Sequence, residues 1–127
     1  MDSRITILMV TIGATFWLVV ALIIQLMPWL FKGGPVTMVL FIATIPVGWM
    51  FLRMMVWLAD LSPSDYLPAT AVTVATGTLL DGVFITWQRD IYGSNPEIIM
   101  IGAAWILWGI GMLLIMAMIM ARQNTVN

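Results

Sequence analysis

Asp81 is the residue of this chain whose type and position could do chemistry. It lies about six residues before Trp87, the end of a long apolar stretch, so in a helix its carboxyl is roughly 9 Å from that end. An ionised acid at that depth in a membrane costs about 3 kcal/mol or more, so Asp81 needs a partner or a proton. Asp81 is therefore either a proton or cation site, or an interhelical hydrogen-bonding residue satisfied by Thr, Gln25 or Arg53.

Gln25 and Arg53 are the other polar side chains that we expect inside the membrane. Gln25 lies near the end of its apolar stretch, close to the depth of Asp81. A contact between Gln25 and Asp81 is therefore predicted if their helices touch. Arg53 lies roughly 10 Å from Asp81 in depth, and we expect its side chain to extend towards the Asp60 side instead.

Small residues indicate which helix faces meet. Thr73, Gly77 and Asp81 recur every four residues, which places the acid on a face that a second helix can approach closely. Gly102 and Gly109, seven residues apart, give another stretch a similar face. We predict that both faces are helix interfaces, within the fold or with a partner protein.

Aromatic and sulfur side chains suggest cofactors, but packing is the simpler interpretation. Four tryptophans lie deep in the apolar stretches and could contact a pigment, quinone or lipid: Trp17, Trp49, Trp105 and Trp108. The chain has no histidine, the usual ligand of haem iron. Methionines at a four-residue spacing could bind cuprous copper but fill apolar gaps equally well: Met112, Met116 and Met120. We predict no metal site and no resident cofactor, with bound lipid, quinone or pigment as candidates.

The composition is that of a membrane protein. Of 127 residues, 62% are hydrophobic and 9% charged, far below the roughly 25% of charged residues in soluble domains. A net charge of −1 offers no basic surface for nucleic acid. The chain has no cysteine, and it lacks both a catalytic triad pattern and a phosphate-binding glycine loop. We therefore do not expect an enzyme.

Four apolar stretches are long enough to span a bilayer, which takes roughly 20 residues each. Polar or Gly/Pro-containing connections separate them, and the spans are predicted at about 5–31, 36–58, 68–87 and 96–121. The predicted fold is all-α: a single domain, 1–127, with four transmembrane helices in an antiparallel up-down bundle.

An even number of crossings places both termini on one side of the membrane. That side holds three of the five basic residues, Arg4, Arg53 and Arg122, and the other side holds Lys32 and Arg89. The positive-inside rule then favours cytoplasmic termini.

Short motifs along the chain resemble those of a family of small bacterial four-helix membrane proteins of unknown function. They are Gly13-Ala14-Thr15-Phe16-Trp17-Leu18, Thr78-Leu79-Leu80-Asp81-Gly82-Val83-Phe84, Ile91-Tyr92-Gly93 and Gly102-Ala103-Ala104-Trp105-Ile106-Leu107-Trp108-Gly109. The resemblance implies a multi-pass protein of the bacterial inner membrane and supplies no activity. Small multidrug-resistance transporters share this size, but their hallmark acid is in the first span, where this chain has only Gln25.

Two functions are compatible with these observations. The first is a non-catalytic membrane protein that acts through helix packing, as an accessory or scaffold subunit of a larger membrane complex or as a homo-oligomer. Its partners would be membrane lipids and other membrane subunits or copies of itself. The alternative is a small proton- or cation-coupled transporter that uses Asp81.

Overall fold

The computed structural model describes the backbone of residues 1–126 and the side chains of residues 1–124. The described chain is helical, and its four long helices are α1 (Ser3–Leu26), α2 (Pro35–Ala59), α3 (Tyr66–Trp87) and α4 (Pro96–Val126). Each is long and apolar enough to cross a membrane, which indicates a multi-pass membrane protein. Short 3₁₀ turns, Pro28–Phe31, Pro63–Asp65 and Arg89–Tyr92, lie between the helices.

Local side-chain chemistry sets several helix ends. At the start of α1, the Asp2 carboxylate accepts a hydrogen bond from the Ile5 backbone N–H at 2.9 Å. Helix α4 begins at Pro96, and there the Asn95 side chain accepts from the Glu97 backbone N–H at 2.9 Å. Ser94 and Glu97 have the spacing of a capping box, but Asn95 provides this bond.

Helix α1 lies directly against α3, α3 against α4, and α4 against α2. Helices α1 and α3 approach each other closely at Gly13, where an added Cβ atom would come within 2.5 Å of the Thr73 carbonyl oxygen. Glycine is therefore required at this crossing of α1 and α3.

The buried side chains form two clusters. The first, which includes Met9, Met55 and Tyr66, draws on the N-terminal halves of α1 and α3 and the C-terminal halves of α2 and α4. The second, which includes Ile24, Phe31 and Tyr92, joins the remaining half of α1 to two of the 3₁₀ turns and the start of α4. A cavity, described below, lies along the inner faces of the helices.

Candidate functional site

A chain of hydrogen bonds holds the carboxyl group of Asp81. The Tyr92 hydroxyl donates to Asp81 Oδ1 at 2.6 Å, and Trp17 Nε1–H donates to the same hydroxyl at 3.0 Å. Asp81 is 9% exposed and Tyr92 is 1% exposed. These bonds connect α3 with α1 and with the turn that follows α3, so the three groups form one buried polar network.

The turn Arg89–Tyr92 brings Tyr92 back to the face of α3 that carries Asp81. Gly93 ends this turn with a φ of 122°, a backbone conformation that favours glycine. Burial, and next the hydrogen bond to Asp81, raise the pKa of the Tyr92 phenol above its ordinary value. Tyr92 therefore remains a protonated donor across the physiological pH range.

The polar partners considered for Asp81 from sequence lie elsewhere. Gln25 and Arg53 are both exposed, so the predicted Gln25 contact is replaced by the bond from Tyr92. One sequence signal points to Tyr92: it is an aromatic residue followed by glycine within a polar stretch. That signal does not reveal a contact across eleven residues, because the contact depends on how the turn folds back.

The small residues separate into two groups. Thr73 is buried against α1, where its hydroxyl lies 3.5 Å from the Met9 carbonyl oxygen, and Gly77 also faces α1. Gly102 lies against Ile24, whose Cδ1 would be 2.8 Å from an added Cβ. Gly109 has no atom within 4 Å of that position and instead borders the cavity. The structure therefore places Gly109 beside open space and the other three at helix contacts.

A cavity of about 340 Å³ lies among the four helices, and Asp81 borders it. Apart from Asp81, the charged residues of the described chain are absent from its wall, which is mostly aliphatic and aromatic. Small-molecule sites in proteins have volumes of roughly 300–1,000 Å³ and apolar walls with a few polar groups. The cavity meets this description.

Two of the four deep tryptophans line this cavity. Trp17 is one of them, and Trp105 donates from Nε1 to Thr44 Oγ1 at 2.9 Å. Trp49 packs against the first buried cluster. Trp108 is 37% exposed and lies beside Phe41, with 5.3 Å between the ring centroids.

Groups of three or more His, Cys, Asp or Glu side chains positioned to hold a metal ion do not occur among the residues described. Met116 and Met120 are buried in the first cluster, and Met112 packs against that cluster.

In a comparison with protein families, the model of DUF5367, described as a family of unknown function, matches residues 32–124. This range includes α2, α3 and all but the last two residues of α4, and therefore Asp81 and Tyr92, but not Trp17. Searches of curated proteins and of solved structures find no match to the chain.

Proposed function

We propose, for this chain that belongs to DUF5367, a family of unknown function, a non-catalytic role in the membrane through helix packing. The protein would be an accessory or scaffold subunit of a larger membrane complex or a homo-oligomer. In this proposal the four helices form an antiparallel up-down bundle in a bacterial inner membrane, with cytoplasmic termini.

The hydrogen bonds of Asp81 are the observation that carries this proposal. Of the two acidic residues within the four long helices, Asp81 is buried and Glu97 is exposed. The Asp81 carboxyl accepts a bond from Tyr92, whose hydroxyl in turn accepts one from Trp17. A buried polar network of this kind fixes how helices pack. Because the Asp81 carboxyl is part of this network, its bonding supports a role in helix packing over a role in catalysis.

The outer face of α3 is the surface that we assign to association. Four small residues of α3 are exposed and recur at helical spacing: Ala71, Ala75, Gly82 and Thr86. The Thr86 hydroxyl is bonded to the Gly82 carbonyl oxygen at 2.7 Å, so this face needs no further polar partner. Small side chains allow the backbone of a second helix to approach closely.

The test is whether the full chain associates. Light scattering measures association of the purified protein in a mild detergent, and cross-linking measures it in the native membrane. Gly82→Leu should reduce association, because a Cβ atom at Gly82 has open space around it within the chain, whereas a larger side chain there would block a partner helix. Gly111→Leu is the matched control, since Gly111 is also exposed with open space around it. A stable monomer that copurifies with no partner would count heavily against the proposal.

Proton- or cation-coupled transport is the second candidate function, and one observation favours it. Asp81 borders the cavity as well as bonding to Tyr92. Replacing Asp81 by Asn and measuring proton release or substrate flux between about pH 5 and 9 tests this function. Unchanged behaviour across that range would remove it.

A further inference from the structure

The cavity among the four helices carries an inference beyond helix packing. We propose that it binds a lipophilic organic cation: a molecule with an apolar body, seated among the four helices, and one protonated amine, paired with Asp81. The volume of about 340 Å³ and the predominantly apolar wall fit a small ligand body. The charge and hydrogen bonding of the wall determine what polar group that ligand can carry.

Every side-chain N–H or O–H donor in the described wall is already used. Trp17 donates to Tyr92, and Trp105 donates to Thr44. The three wall threonines each donate to a backbone carbonyl oxygen four residues earlier: Thr44 to Leu40, Thr73 to Ala69, and Thr78 to Val74. A carboxylate or carbonyl ligand would therefore find no free donor, and its polar group would be buried without a partner.

Acceptor capacity is still present, and Asp81 provides it. A carboxylate has two oxygens and about four acceptor sites, and the Tyr92 hydroxyl occupies one of them at Oδ1. Both groups in its hydrogen-bond network, the Tyr92 hydroxyl and the Trp17 indole, are neutral. A charge at this depth is stabilised by an opposite charge, which a bound cation would supply.

The aromatic side chains of the wall also favour a cation. Phe16, Trp17, Phe51 and Trp105 line the cavity, and aromatic faces attract positive charge, tryptophan most strongly. The Phe16 and Phe51 rings stack with centroids 4.5 Å apart, so α1 and α2 touch there through side chains. An apolar body could also contact these rings without a charge, so the amine itself has to be tested.

The gap between α1 and α2 provides a route to the cavity. Val19 of α1 and Val47 of α2 both line the cavity, yet they are 47% and 60% exposed. Both lie near the middle of their helices, at the depth of the hydrocarbon. A lipophilic amine dissolved in the membrane can therefore enter from the side.

Three probes of one shape test the proposal on the full chain, purified in mild detergent and freed of lipid. Naphthylmethylamine is a cation at neutral pH, naphthalenemethanol is neutral and naphthoate is an anion. Binding is followed through tryptophan fluorescence, since Trp17 and Trp105 line the site. We expect the amine to bind roughly 10- to 100-fold more tightly than the alcohol, and naphthoate most weakly.

Two variants localise the binding. Asp81→Asn should remove the preference for the amine over the alcohol, while the alcohol still binds. Gly109→Leu should abolish binding of both, because its side chain fills open space in the cavity; Gly111→Leu, on the outer surface of the same helix, should not.

Equal binding of the three probes, tighter binding of naphthoate, or no binding at all would overturn the proposal. So would unchanged binding by Gly109→Leu. If Asp81→Asn does not fold, the ranking of the probes on the wild type and the two glycine variants still decide. The association assay tests the proposed role in helix packing, and the binding assay tests the proposed ligand. Failure of one proposal can therefore be distinguished from failure of the other.

Discussion

Removing one hydroxyl group tests the buried network. Tyr92→Phe deletes the group that donates to Asp81 and accepts from Trp17, two bonds of 2.6 and 3.0 Å. Interhelical hydrogen bonds in membranes average about 0.6 kcal/mol and reach about 1.7 kcal/mol. A buried polar group that loses its hydrogen-bond partner costs roughly 1–3 kcal/mol. In this variant both the Asp81 carboxyl and the Trp17 N–H lose the Tyr92 hydroxyl as a partner. We expect the free energy of unfolding to fall by about 1–3 kcal/mol.

The assay is reversible unfolding in mixed detergent micelles, followed by circular dichroism. Tyr66→Phe is the matched control, because Tyr66 is also buried. Its backbone carbonyl oxygen accepts a hydrogen bond from the Thr70 hydroxyl, and the substitution leaves that bond in place. It should change stability by less than about 0.5 kcal/mol.

A double-mutant cycle adds a second criterion. Tyr92→Phe and Asp81→Asn remove partners of the same bond, so their effects should be non-additive by at least about 0.5 kcal/mol. If Tyr92→Phe costs no more than Tyr66→Phe, or if the two effects simply add, the network does not hold the helices as argued.

Two further predictions concern packing and pH. Gly13→Ala should destabilise the protein by about 1–3 kcal/mol in the same assay, because the added methyl group would press on the Thr73 backbone oxygen. Gly82→Ala is the control and should not destabilise the protein, because the space around a Cβ atom at Gly82 is open. The raised pKa of Tyr92 means that its contribution to stability is fully present below about pH 10 and is lost as the pH rises towards the folded-state value. The free energy of unfolding of the wild type should therefore fall at alkaline pH. Tyr92→Phe has no phenol to ionise, so its free energy of unfolding should fall less over the same pH range.

The helices themselves follow from the sequence for a simple reason. An apolar stretch in a membrane must satisfy its backbone hydrogen bonds internally, so long uncharged stretches become helices whatever their partners. Ends are also marked locally, as by Pro35 and Pro96 in the first turn of α2 and α4. None of this requires knowledge of the tertiary structure.

The partner of Asp81 and the cavity could not be predicted in this way. Helices that are apolar on every side give a weak periodic signal, so the sequence does not say that α4, rather than α1, is the main support of α2. Gly109 has the residue type of a helix contact, yet open space adjoins it because of that arrangement. Likewise, Gln25 matched Asp81 in depth, but depth alone does not fix which way each side chain points.

Packing and binding at Asp81 support each other in these proposals. A carboxyl group with free torsions would turn towards whichever donor came near, whereas the 2.6 Å bond from Tyr92 fixes one oxygen. Trp17 in turn orients the Tyr92 hydroxyl. A recognition group held in place before its ligand arrives loses less conformational entropy on binding. The network that holds α1 to α3 would thus also prepare Asp81 for a cation, so substitution of Tyr92 should weaken the amine preference while leaving the cavity intact.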